Sequence, residues 1–223
     1  MEQARESKLF IRELKEDAIG EVCLKEVSKA QKAPSARNEL LELKELTQQC
    51  TLCSDLARTR KNVVFGAGNT KAKLLFVGEA PGQEEDLQGL PFVGAAGQPL
   101  TKIIESIQLK RNDVFIANVL KCRPPGNRAP QPKEVENCEP YLRRQIELIQ
   151  PKIICALGSH AAHALLKTET QISQLRGKFY DFSPETKLIC TYHPAYLLRN
   201  PGEKRKVWED MKMIRKELDA LER

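Results

Sequence analysis

Seven cysteines lie in a chain of 223 residues, and four of them are spaced to hold an inorganic centre. Cys50 and Cys53 form a C-x-x-C; Cys122 follows after 68 intervening residues, and Cys138 after 15 more. A close pair chelates a metal centre from a turn, and two remote thiolates complete the coordination. An all-cysteine zinc site and a 4Fe-4S cluster both satisfy this pattern. One pair plus two singles suits a cubane, but spacing alone does not decide. Four buried, unlinked cysteines are the bland alternative. Cys155 and Cys190 fall inside apolar runs, where core packing explains them more simply than ligation, and Cys23 lies in a charged N-terminal stretch.

Further candidate chemistry sits at the ends of apolar runs. Gly78-Glu79-Ala80-Pro81-Gly82 makes a tight turn whose backbone can approach a planar ligand, with Glu79 supplying a carboxylate. A glycine-rich turn after a strand is common, so this signal is weak alone. Glu85, Asp86 and Phe92 lie in the Gly-rich stretch that follows; Phe92 is either core or the wall of a pocket. Asn118 ends an apolar segment, and a buried amide there needs partners; it can donate and accept at once, which suits the edge of a base. His193 stands at the end of the last apolar run. A lone histidine is more often structural than functional.

These residues need a scaffold, and the pattern predicts one. KLLFVG, VFIAN, PKIICALG and KLICTYHP read as buried strands. The helical stretches NELLELKELTQQ, GQPLTKIIESI, PKEVENCEPYLRRQIELI, SHAAHALLK (with Ser159 as its N-cap) and the C-terminal EKRKVWEDMKMIRKELDALER surround them. Strands alternating with helices predict an α/β fold, three-layer α/β/α, around a four-stranded, mainly parallel sheet. Ligands bind such sheets at the carboxyl ends of the strands, which is where Gly78, Asn118, Gly158-Ser159-His160 and His193 fall. The apolar fraction of 41% suffices for a core. A net charge of +6 is compatible with a polyanion partner but many enzymes reach it. No apolar run reaches the roughly 18 residues of a membrane span, and the charged N-terminus lacks a secretory h-region. The expectation is a cytoplasmic, nucleoid-associated protein, with thiols kept reduced and hence a metal or cluster rather than disulfides. Residues 1–36, charged and weakly periodic, read as an extension that is helical or disordered; 37–223 read as the functional domain.

Taken together, GEAPG, the LPFVGAAGQ segment, NVLKCRPPGNR, CALG and YHPAYLLRNP, with the four cysteines in that order, resemble the family 4 uracil-DNA glycosylases. These are the thermostable-type enzymes that carry a 4Fe-4S cluster, and the resemblance spans about 37–215. It implies that Cys50, Cys53, Cys122 and Cys138 hold the cluster in a structural role. It implies that Phe92 stacks on a flipped uracil, that Asn118 reads its N3 and O4, that His193 meets O2, and that Glu85 crowds C5 against thymine's methyl group. Gly78, Ala80 and Glu79 then line the loop near the glycosidic carbon, with Glu79 placing water or stabilising the sugar cation. Asn127 belongs to a polar loop without an assigned role. The segment after His193 implies contact with the minor groove, with Leu197 as the wedge or, equally, as packing against the C-terminal helix. Lys121, Arg123, Arg128 and Arg199 are candidate phosphate contacts.

The implied activity is a monofunctional glycosylase acting as a monomer on uracil in single- or double-stranded DNA, leaving an abasic site. A second reading is a uracil-DNA binding or crosslinking protein of the same superfamily that does not turn over. Relatives of that kind carry a histidine in a basic insertion after the position of Pro125 and a glutamine at that of Ala80; GNRAPQPKE has neither histidine nor insertion. A neighbouring glycosylase family lacks the acid at Glu79. A cluster-bearing accessory protein for phage or plasmid replication is a third reading.

Overall fold

Short apolar runs punctuated by glycine and proline build the sheet. The computed structural model describes residues 35–221; the extension expected at 1–36 lies, but for its last two residues, outside them, as does Cys23. In chain order the elements are α1 (Ala36–Gln48), α2 (Ser54–Thr59), β1 (Ala67–Gly68), β2 (Leu74–Gly78), α3 (Gln83–Gln88), α4 (Gly97–Ser106), β3 (Phe115–Asn118), α5 (Pro132–Ile149), β4 (Ile153–Leu157), α6 (Ser159–Leu166), α7 (Ile172–Leu175), β5 (Phe179–Ser183), β6 (Thr186–Thr191), α8 (Pro194–Arg199) and α9 (Lys204–Ala220). Two 3-10 turns, Pro125–Asn127 and Pro201–Glu203, punctuate the loops.

The sheet order is β1-β3-β2-β4-β6-β5. The four expected strands, β3, β2, β4 and β6, are parallel to one another and form its centre. Two further strands close its edges: β1 runs antiparallel to β3, and β5 antiparallel to β6. Register brings the carboxyl ends level. Gly78 pairs with Asn118, and Leu157 with Thr191, so the residues just beyond them share one rim.

Strand side chains alternate between faces. Leu74, Phe76, Ile116, Ile153, Cys155, Leu157 and Ile189 form one core cluster with Leu100, Ile103 and Ile104 of α4 and Val207, Met211, Ile214 and Leu218 of α9. The intervening Leu75, Val77, Ile154 and Ala156 are equally buried and face the other way. On that side α6 lies against β2 and β4, and α1 packs on α5. This is the three-layer arrangement. Cys155 and Cys190 are fully buried, as core packing requires.

Ser159 is not the cap of α6. Gly158 takes that position with φ +88°, and Ser159 is the first helical residue. A Cβ on Gly158 would stand 3.0 Å from His193 Cβ, so glycine alone lets α6 begin hard against the end of β6.

Candidate active site and cysteine centre

Gly78 ends β2 on the rim, and its missing side chain makes the site. A Cβ there would lie 2.4 Å from Asn118 Oδ1 and 2.5 Å from Phe92 Cζ. Three expected residues therefore meet at one point. Asn118 is 2% exposed, and its Oδ1 has no hydrogen-bond partner. A buried acceptor left unpaired costs about 1–3 kcal/mol. Such a cost persists where a ligand's donor is meant to satisfy it. The main chain of Asn118 is anchored from behind, because the buried Lys121 Nζ donates to its carbonyl at 2.8 Å and to Gln145 Oε1 at 2.6 Å. Gln145 Nε2 in turn donates to Phe65 O at 2.8 Å. Burial pulls the Lys121 pKa down to about 8, with Cys138 and Cys122 acting against it.

Phe92 adopts φ +52°, a left-handed conformation that costs a non-glycine residue about 1–3 kcal/mol. Its neighbours hold it there. Glu85 Oε1 accepts the Val93 N–H at 2.9 Å and the Gly94 N–H at 2.7 Å. Arg111 Nη2 donates to Pro91 O at 2.9 Å. Gly97 allows close approach, since a Cβ on it would meet Phe92 O at 2.1 Å. The Glu85 carboxylate thus braces the loop that carries Phe92. Asp86, one residue on, accepts from the backbone of Lys61 and Asn62 and anchors α3.

His193 caps α8, and its ring lies 5.7 Å from that of Phe92. Nδ1 accepts the Ala195 N–H at 3.2 Å, which assigns the ring proton to Nε2 and leaves that group to donate. Burial is the main reason its pKa falls below the ordinary value, so the neutral donor form prevails. Glu79 lies partly exposed beyond Gly78, and its Oε2 is 2.7 Å from Nδ1 of His160. The pairing holds the His160 pKa up. Sequence reasoning gave His160 no role; the one signal was its place at the end of a strand.

The DNA-facing candidates divide. Leu197 is 4% exposed and packs in the main core, the second of its two expected roles; the exposed apolar side chain on α8 is Leu198, 53% exposed. Lys121 is 1% exposed and its ammonium is spent inside the fold, which removes it from the phosphate contacts. Arg128 pairs both its Nη atoms with Glu134, at 2.9 and 2.5 Å, and Arg123 donates to Asn127 Oδ1 at 2.7 Å. Arg199 is exposed.

Cys50, Cys53, Cys122 and Cys138 line one recess with Leu56, Arg60, Leu120, Glu134 and Asn137. Three of the sulfurs have a donor: Arg60 Nη1 stands 3.2 Å from Cys122 Sγ, Asn137 Nδ2 3.5 Å from Cys53 Sγ, and the Lys121 N–H 3.2 Å from Cys138 Sγ. Burial pushes the thiols of Cys53 and Cys122 up, and that of Cys138 to about 12. Three donors aimed at sulfur favour thiolates, the form in which these cysteines would hold a cationic centre. Among the described residues no group of three or more His, Cys, Asp or Glu side chains is arranged to hold a metal ion, and what the four cysteines share is one recess. Among the same residues no helix is long and apolar enough to cross a membrane.

Residues 65–212 match the family model of the Uracil DNA glycosylase superfamily. The chain is 49% identical over 172 residues to the type-4 uracil-DNA glycosylase of Archaeoglobus fulgidus, covering 74% of this chain and 86% of that one. It is 45% identical over 181 residues to the protein of the same name from Saccharolobus solfataricus, covering 78% and 83%. A third, from Thermotoga maritima, is 45% identical over 179 residues, covering 78% and 93%.

Proposed function

Since the chain belongs to the uracil DNA glycosylase superfamily and is a uracil-DNA glycosylase of DNA repair, we propose that it hydrolyses the N-glycosidic bond of a uracil flipped into the recess of Gly78, Phe92 and Asn118. The observation that carries this is the unpartnered, buried Asn118 Oδ1 beside the Phe92 ring. An acceptor there takes the uracil N3–H, and the amide nitrogen donates to O4. Cytosine, with a bare N3 and an amino group at C4, reverses both. The ring of Phe92 supplies the stacking face, and the chain of Gly78 and Ala80 the floor.

A base inside the duplex is out of reach, and flipping it out costs a few kcal/mol. Cleavage of the C1′–N1 bond leaves its electron pair on uracil and positive charge on the sugar. His193 Nε2–H at O2 stabilises the first charge as it grows; one such donor contributes about 3 kcal/mol. The Glu79 carboxylate opposes the second charge and takes a proton from the attacking water. Glu85 bars thymine by fixing the loop against the C5 side. Leu198 replaces Leu197 as the group that fills the gap left in the duplex, and Arg199 meets phosphate.

Cys50, Cys53, Cys122 and Cys138 would hold a 4Fe-4S cluster. It would supply a rigid cross-link between the segment of α2, the end of β3 and α5, and no step passes through it. The work is that of a monomer on chromosomal DNA inside the cell, with residues 37–223 as the catalytic domain.

The test is an oligonucleotide with one uracil, treated with alkali after incubation. Wild type should give a strand cut at uracil, and Asn118→Ala, still folded by circular dichroism, should lose at least about hundredfold in rate. An intact strand at stoichiometric wild-type enzyme would defeat the proposal, and a stable protein–DNA adduct would favour capture without turnover.

A further inference from the structure

Glu79 does not stand alone at the rim. His160 lies in the first turn of α6 and sets Nδ1 2.7 Å from Glu79 Oε2. The backbone imposes this meeting. Gly158, in its left-handed conformation, starts α6 against His193, and α6 then lies beside β2, which leads directly into Glu79. The side chains of His160 and Glu79 are 48% and 32% exposed. A pair so open to water contributes little to stability, so holding the fold together is a poor explanation of it. Of the two carboxylate oxygens, Oε2 is the one that meets the imidazole.

We propose that His160 is a positioning residue for uracil excision, its Nδ1–H fixing Glu79 through Oε2 so that Oε1 is kept for the attacking water. This rests on the reading of Glu79 as the carboxylate that faces the sugar. In the step, the C1′–N1 bond breaks and its electron pair leaves with uracil. The water oxygen bonds to C1′, its proton passes to Glu79 Oε1, and that proton leaves to solvent with the products. A carboxylate held at one oxygen has already given up its rotation, so less ordering remains for the transition state. His160 donates one hydrogen bond throughout and touches neither base nor sugar.

The experiment compares kcat and KM for excision from a single-uracil oligonucleotide by wild type, H160A, H160N, E79A and the double variant E79A/H160A. Asparagine places an amide N–H where Nδ1–H stood. H160A should lower kcat about tenfold with KM within about twofold, H160N should recover to within about threefold of wild type, and H160A should add nothing in the E79A background. Melting temperatures of both His160 variants should match wild type. Three results would overturn the proposal: H160A at wild-type kcat, H160N as slow as H160A, or an undiminished loss in the E79A background. Failure of the underlying readings looks different. An intact strand with wild type sinks the excision reading, and E79A at wild-type kcat sinks the role of Glu79 and with it that of His160.

Discussion

At the scale of the residue, His193 shows how one hydrogen bond sets a chemical state. Accepting the Ala195 N–H requires a neutral ring, and burial favours the same form. Its folded pKa lies below the unfolded value near 6.5. The resulting stability is present above the unfolded pKa and is lost as pH falls through the folded one. His193→Asn keeps a capping acceptor but cannot titrate. Between about pH 7 and about pH 5, wild type should therefore lose more unfolding free energy than His193→Asn, as denaturant midpoints at each pH would register. Equal losses would place the ring in solvent. The residues of the recess were legible in the sequence because each is anomalous where it stands: an amide ending the apolar FIAN, an aromatic among glycines, a histidine closing LICTY. The partner of Glu79 was not, since nothing in local spacing tells which of two neighbouring loops a side chain reaches.

At the scale of the element, the strand ends matter more than the strands. β3 stops at Asn118, and the next turn is held by Lys121, whose ammonium reaches back to the Asn118 carbonyl and across to Gln145 of α5. Lys121→Met fits the space but leaves two buried acceptors unpaired, so it should destabilise the protein by about 2 kcal/mol in urea unfolding and slow excision through a loosened Asn118. Unchanged stability would mean that water replaces the ammonium. Lysine is so seldom buried that the sequence pointed to phosphate instead. The central strands were readable as apolar runs of four to six residues between glycines and prolines. The six-residue α3 and α8 were not, because fewer than two turns give no periodicity. Leu197 and Leu198 show the cost: adjacent leucines on one short helix, one in the core and one in solvent.

At the scale of the whole molecule, the four cysteines join parts of the chain that the sheet does not join. Cys50 and Cys53 lie between α1 and α2, Cys122 follows β3, and Cys138 lies in α5. Cys138→Ser should lower the melting temperature by at least about 5 °C and bleach the visible absorbance expected of the cluster. A colourless wild type carrying one zinc would overturn that cofactor. The cysteine spacing was plain in the sequence; the side-chain donors to the sulfurs were not, since Arg60 and Asn137 reach them only through packing. The edge strands were also hidden, β1 by its two-residue length and β5 by its half-exposed Phe179–Ser183. Their presence has a consequence for the protein in a crowded cell. β1 is brief, preceded by Gly66 and ending in Gly68, both at positive φ, and β5 breaks register between Asp181 and Ser183. Neither margin offers the long, flat row of free amides that recruits a stray strand. Both edges of the sheet are thus poor templates for strand-by-strand aggregation.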